Sequence, residues 1–317
     1  RRRPPPGKSS VSGSSRDARW PTIARMSIVF LTNPRSGRGL ALKCSKRFEA
    51  ALASAGFETA TFSLDPDAPR ELPPRALDDA RALVVFGGDG TIHHIARTAM
   101  ATHTPLYHVP LGTENLFARE FGMSKRPRQL IDALDRGRVR HIDIARCNDR
   151  SFLIMAGAGV DASIIHRLEG ARSWRVGRLA YAGPMLTELI RPRIPRVTMT
   201  VDGKTVVDGA LGSPIIANSR LYGGHLNIAR DASIDEGLLD AVFLPHSTSL
   251  GAVAMAGFAW IRRIERAPGV IYQKAREVIV RTEGGMPWQC DGEAVTLEAS
   301  VAMLTVEPRA LPVLSPV

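Results

Sequence analysis

Leu83-Val84-Val85-Phe86-Gly87-Gly88-Asp89-Gly90-Thr91 runs from a β-branched, apolar segment straight into three glycines wrapped around one carboxylate and one hydroxyl. So short an apolar run bounded by glycines is too brief for a helix, so it reads as a buried strand. Ile92-His93-His94-Ile95-Ala96-Arg97 has apolar residues at helical spacing, so the order is strand, glycine turn, helix. Glycines at such a junction let the backbone approach a phosphate closely, and the helix N-terminus adds a partial positive charge. An Asp inside a phosphate cradle is repelled by the phosphates unless it holds Mg²⁺, orders the waters of that ion, or takes a proton from an attacking hydroxyl. The bland alternative is an ordinary tight βα turn, for which Gly-Gly-Asp-Gly-Thr is unusually specific.

Outward from this segment the rhythm continues. Ser27–Leu31 reads as a first strand, followed by the turn-forming Thr32-Asn33-Pro34-Arg35-Ser36-Gly37-Arg38-Gly39. A helix is expected from about Leu40 to Ala55, with Leu42, Phe48, Ala51 and Leu52 on its buried face and Gly56 closing it. Phe57–Phe62 and Pro105–Val109 read as further strands, with a proline-rich loop at 65–74. This β-α-β alternation predicts a doubly wound parallel sheet with its ligand at the carboxyl ends of the strands. From about Phe152 glycine-separated apolar segments replace it, apart from a helix near Gly177 to Arg191. Arg196–Leu211 reads as a hairpin around Asp202-Gly203, Ile215–Asn218 as another strand before a loop containing Gly223-Gly224, and Ala302–Leu314 as strand, proline turn and short strand.

Gly87 to Thr91 resembles the signature of the diacylglycerol kinase catalytic domain, shared more distantly with sphingosine kinases, NAD kinases and phosphofructokinases. Asn33-Pro34-Arg35-Ser36-Gly37 resembles that family's first nucleotide loop, and Pro110-Leu111-Gly112-Thr113-Glu114-Asn115 its second signature. The resemblance covers about residues 26–315 and implies an α/β nucleotide domain (26–147), a β-rich, sandwich-like substrate domain (148–301) and a C-terminal segment (302–317) returning to the first domain. It implies ATP held by Asn33, Ser36, Gly37, Gly87, Gly88, Asp89, Gly90, Thr91, His93, Gly112, Thr113 and Asn115. Glu293 of Asp291-Gly292-Glu293 would be the general base at the γ-phosphate, with Asp89 organising Mg²⁺ or itself taking the proton. Ser233, Glu236 and Leu238, with Asp291, would hold a structural Mg²⁺. Asp143 would lie near the cleft between domains or be one solvated acid on a strand, and Gly177–Tyr181 matches a basic-aromatic helix start. The chain departs from the pattern where His94 and Leu116 replace acids, while Glu114 offers a carboxylate two positions early.

Composition bounds the partners. At 317 residues, 44% hydrophobic and 23% charged, the chain suits a soluble globular protein of one large or two ordinary domains. The longest apolar run, Leu250–Ile261, is too short to span a bilayer and is expected to be a buried helix. Three widely spaced cysteines fit neither a disulfide framework nor a zinc site, so a reducing cytosol is expected. Of the net charge of +11, residues 1–25 carry +6; this Pro/Ser/Arg-rich stretch reads as a disordered tail, and Met26 stands just before the first strand. The remaining +5 suits work on phosphates beside an anionic membrane, so the expected partners are ATP, a lipid substrate and the membrane surface rather than nucleic acid. A kinase of a soluble acceptor such as NAD, or a binding module without chemistry, are the alternatives; oligomeric state is not legible.

Overall fold

The computed structural model describes residues 27–64, 72, 75–170, 183, 187, 193–222, 226–283, 286–297 and 300–316. The expected basic tail, most of the 65–74 loop, the Gly177–Tyr181 segment with nearly all of its helix, and Gly223-Gly224 lie outside these residues.

Strand β3 (Ala82–Gly87) is buried at every position, because it lies between β1 (Ile28–Thr32) and β4 (Leu106–Pro110), both parallel to it. A central parallel strand is covered on both faces, which explains its continuous apolar run. β2 (Thr59–Ser63) extends this sheet beyond β1. Helix α1 (Ala41–Ser54) buries the expected Phe48 and Leu52, but with Ala41 and Ser45 beside them, while Leu42 is half exposed. The small Ala41 and Ser45 let the helix lie close to the sheet, so the stripe rotates away from Leu42. Phe48 meets Phe86 edge-on at 5.2 Å, and Phe86 meets Phe30 at 4.9 Å. Burying each such ring contributes about 1.5–3 kcal/mol. Helix α2 (Asp89–Ala101) follows β3 directly, α3 (Leu116–Glu120) follows β4, and α4 (Pro127–Arg136) leads into β5 (Val139–Cys147).

The second half is built of antiparallel strands. β6 (Arg150–Phe152) pairs with β5, and β7 (Met155–Ala158) leads into α5 (Val160–Gly170). β8 (Arg196–Val201) and β9 (Lys204–Ala217) form the expected hairpin, with Asp202 and Gly203 both at positive φ. The strand expected separately at Ile215–Asn218 is the continuation of β9, which runs 14 residues. It starts against β8 and ends between β7 and β10 (Leu239–Pro245), so it belongs to both layers of a sandwich. Gly212 permits the crossing: a Cβ there would come within 2.4 Å of the Leu244 carbonyl oxygen.

After β10 come helix α6 (Ser249–Trp260), β11 (Ile271–Ala275), β12 (Glu277–Arg281), β13 (Trp288–Cys290), β14 (Glu293–Val295) and β15 (Val301–Leu314). The sandwich interior holds Met199, Ile216, Phe243, Val278, Trp288 and Leu304. β15 lies antiparallel to β12 and β5, and Val313 pairs in parallel with Leu106 of β4. The expected proline turn is a register shift between Glu307 and Leu311 inside this one strand, around Pro308 and left-handed Arg309. Proline donates no ladder hydrogen bond, so it is accommodated at a bulge. The architecture is thus an α/β layer joined to a β-sandwich.

Candidate active site

Three loops converge at the carboxyl edge of the parallel sheet. Asn33, after β1, donates from Nδ2 to Thr91 Oγ1 at 2.8 Å and accepts the Arg35 N–H on Oδ1 at 3.0 Å. Ser36 and Gly37 continue that loop, with Gly37 at φ 61° against Leu111. After β3 the turn is shorter than the sequence suggests: Gly88 is the cap and Asp89 already the first helical residue of α2. A Cβ on Gly112 would stand 2.7 Å from Gly88 Cα, so these two glycines touch backbone to backbone. Asn115, left-handed at φ 51°, clasps Gly112 by accepting its N–H at 2.7 Å and donating to its carbonyl at 2.8 Å. Thr113 is exposed at the tip of this loop. Beneath it, His108 is fully buried and held neutral, its pKa pushed down to about 4 by burial. Its Nε2–H donates to the Gly87 carbonyl at 3.0 Å.

Asp89 points at the start of α3, where Oδ1 accepts the Phe117 N–H at 3.1 Å. Burial raises its pKa, backbone N–H groups of Phe117, Leu116 and Asn115 oppose that, and the Asp291 charge raises it further. Leu116 thus begins the helix that Asp89 caps, while Glu114 pairs with Arg119 at 3.8 Å.

The second carboxylates come from the β13–β14 hairpin. Asp291 and Gly292 form its two-residue turn, both at positive φ, as an Asp-Gly hairpin favours. Asp291 accepts the N–H groups of Leu153 (2.7 Å), Ile154 (2.8 Å) and Met155 (3.0 Å), a run of amides that forms an anion cradle at the start of β7. It also accepts His93 Nδ1–H at 3.2 Å, which fastens the hairpin to α2. Burial lowers the His93 pKa, but the Asp291 hydrogen bond and charge, with Glu293's charge, outweigh it and raise the pKa overall. Glu293 is thereby aimed at the first turn of α2: a Cβ on Gly90 would be 3.1 Å from its Oε1, and His94 Nε2 lies 3.4 Å from the same oxygen. Gly90, His93, His94 and Arg97 share one helix face at i, i+3, i+4 and i+7.

Glu236 and Asp291, two of the expected structural Mg²⁺ ligands, have partners within the chain. Glu236 accepts the Ser233 N–H at 3.1 Å and the Lys274 ammonium, which also reaches the Asp231 carbonyl at 2.9 Å and Asp240 at 3.4 Å. Asp291 is committed to the 153–155 amides and His93. Among the described residues no three His, Cys, Asp or Glu side chains cluster as a metal site. The Glu236 carboxylate of this loop is thus the partner of an ammonium. Asp143 is not a solvated acid either: it is buried and accepts the N–H groups of Gly237 (2.6 Å) and Arg309 (2.8 Å).

Several connections had no reading from sequence. Asp161, in the glycine-rich Gly157–Ala162 segment, accepts Tyr222 O–H at 2.8 Å and Gln289 Nε2–H at 3.3 Å, and burial raises its pKa. Glu120 of α3 accepts Ser219 Oγ–H at 2.9 Å. The position of Asp161 in the first turn of α5, just after two glycines, was the available signal; Glu120 and His108 carried none.

A glycine loop bearing a carboxylate on an α/β layer is thus faced by a carboxylate hairpin from a β-sandwich. The profile described as the diacylglycerol kinase catalytic domain matches residues 27–147, and that of the YegS C-terminal NAD kinase beta sandwich-like domain matches 155–315. A diacylglycerol kinase of Mycobacterium tuberculosis (strain H37Rv) is 33% identical over 221 residues, covering 67% of this chain and 71% of that protein. One of Bacillus subtilis (strain 168) is 28% identical over 279 residues, covering 86% and 90%. A solved diacylglycerol kinase structure from Bacillus anthracis str. Sterne shares the fold, with a TM-score of 0.68 at 17% identity, covering 93% of this chain and 98% of that one. The chain belongs to the diacylglycerol kinase family. It is a kinase by that membership, which implies ATP as phosphate donor.

Proposed function

We propose that this protein transfers the γ-phosphoryl of ATP to the hydroxyl of a diacylglycerol-like or sphingoid lipid, residues 26–147 binding the nucleotide and 148–301 the acceptor. The observation that carries the reading is the approach of Glu293 to Gly90 at the N-terminus of α2, where the loops of Asn33, Gly88 and Gly112 meet. Glu293 accepts the acceptor's hydroxyl proton as its oxygen attacks the γ-phosphorus and the bond to the ADP oxygen breaks. Asn33, Ser36, Gly37, Gly87–Thr91, Gly112, Thr113 and Asn115 cradle the nucleotide. His93 fastens α2 to the hairpin through Asp291. Asp89, beside the Asp291 charge, is the carboxylate suited to Mg²⁺, which when bound supplies neutralisation of phosphate charge. A nucleotide donor together with a lipid acceptor favours a cytoplasmic protein visiting a membrane surface.

The test is ATP consumption by the full chain with Mg²⁺ and mixed micelles of diacylglycerol, ceramide or sphingoid bases. Glu293→Gln should lower lipid-dependent kcat by about 10²–10⁴-fold while leaving ATP affinity near wild type. Absence of turnover with every lipid, or turnover with NAD instead, would overturn the acceptor class. Retained turnover in Glu293→Gln would move the base to Asp89.

A further inference from the structure

Helix α6 is apolar on both of its faces. From Ser249 to Ile261 the sequence SLGAVAMAGFAWI holds no charged residue. Its inner face is packed: Met255 and Ala259 are buried in the core, and the Ala259 carbonyl accepts the Asn227 N–H at 3.2 Å. The outer face is not the polar one a surface helix ordinarily presents. Leu250, Val253, Trp260 and Ile261 are 77%, 54%, 63% and 58% exposed, with Ala254 and Gly257 exposed between them. At 100° per residue these six fall within an arc of about 120°, opposite Met255 and Ala259. This corrects the expectation of a buried helix: only half of it is covered.

The chain then places three exposed cations at the end of this ridge. Arg262, Arg263 and Arg266 form no ion pair among the described residues. We propose that the outer face of α6 seats on an anionic phospholipid bilayer. Leu250, Val253, Trp260 and Ile261 enter the acyl boundary, and the three arginines meet the phosphate headgroups. The helix is about 18 Å long by its rise per residue, too short to span a bilayer and suited to lie in its surface. Tryptophan next to the basic end sits where an indole prefers the membrane interface. A self-dimer through this face would bring two clusters of exposed arginines together, so charge complementarity favours anionic lipid over a second copy. Ser219 bonds to Glu120 of α3, and Asn227 to the Ala259 carbonyl of α6.

The inference rests on the lipid-kinase reading for its purpose but is tested apart from it. The full chain is sedimented with phosphatidylcholine vesicles, with and without roughly a third phosphatidylglycerol. Binding should require phosphatidylglycerol and shift tryptophan emission to the blue, a shift absent in Trp260→Phe. Leu250→Ser with Val253→Ser, and separately Arg262→Ala with Arg263→Ala, should each lower partitioning about tenfold or more. Both pairs should keep the wild-type melting temperature and turnover of a micelle-dispersed short-chain lipid. Undiminished vesicle binding in both pairs would overturn the proposal. So would concentration-dependent dimerisation lost in Leu250→Ser/Val253→Ser without vesicle binding. Binding that depends on α6 in the absence of any lipid-dependent turnover would sink the lipid-acceptor reading and support this surface alone.

Discussion

His93 stands on α2 beside two acids from the far end of the chain, and its protonation couples the two halves. The pKa of the folded state is raised above the ordinary 6.5. The imidazolium–Asp291 contribution is therefore fully present below the unfolded value and is lost as pH rises through the folded one. His93→Gln should cost about 1.5–3 kcal/mol at pH about 6, the range for a hydrogen bond to a charged group. The gap in melting temperature from wild type should narrow toward pH about 8; a gap that widens with pH would contradict the pairing. His94 was visible in the sequence as a departure from an acidic position, but its neighbour was not. Its approach to Glu293 comes from the hairpin docking, which no local pattern announces.

At the scale of elements, two loops owe their shape to single residues. Gly112→Ala would drive a methyl to 2.7 Å from Gly88 Cα, where only backbone can yield. It should destabilise by about 1–3 kcal/mol and weaken nucleotide binding, as calorimetric titration of ATP would read. In the Asp231–Asp240 loop, Lys274 is the counter-ion of Glu236 and the fully buried Asp240. Chelation with EDTA should accordingly leave the melting temperature of the nucleotide-free protein unchanged. Lys274→Met should lower stability by about 1–3 kcal/mol by leaving the buried Asp240 carboxylate, which the Tyr272 hydroxyl still bonds, without its counter-ion. The acid-Gly-Leu-Leu-Asp pattern was legible, but Lys274 lies 38 residues from Glu236, so the occupant of the oxygen cage was not.

Across the whole molecule, β9 is shared by the two sheets of the sandwich, and β15 by the sandwich and the α/β layer. β9 passes from β8 to β7 and β10, while β15 pairs with β12, β5 and β4. Asp143 adds a polar tie, joining β5 to the Gly237 loop and the β15 bulge. Neither layer can lose its strands without opening the other, so calorimetry should show one cooperative unfolding transition. Removing residues 308–317 should abolish folding of both layers rather than free one of them. Two resolved transitions, or a folded α/β layer in the truncated chain, would argue against this coupling. So many pairings distant in sequence also predict slow refolding for the chain length.

The amino-acid sequence by itself determined the strand–glycine–helix unit at Leu83–Thr91, the βα alternation around it and the Asp202-Gly203 hairpin. These are local consequences: a strand period, a backbone needing positive φ, and glycines where a Cβ has no room. Only the tertiary structure decided which stripe of α1 turned inward, that β9 is one strand, and that half of α6 remains uncovered. It also decided that Asp291 clamps its hairpin to backbone amides and to a histidine 198 residues away. Burial and hydrogen-bond partnership depend on which surfaces distant segments cover. The same apolar run can therefore be a core helix or an exposed ridge, and the same Asp a metal ligand or a structural clasp.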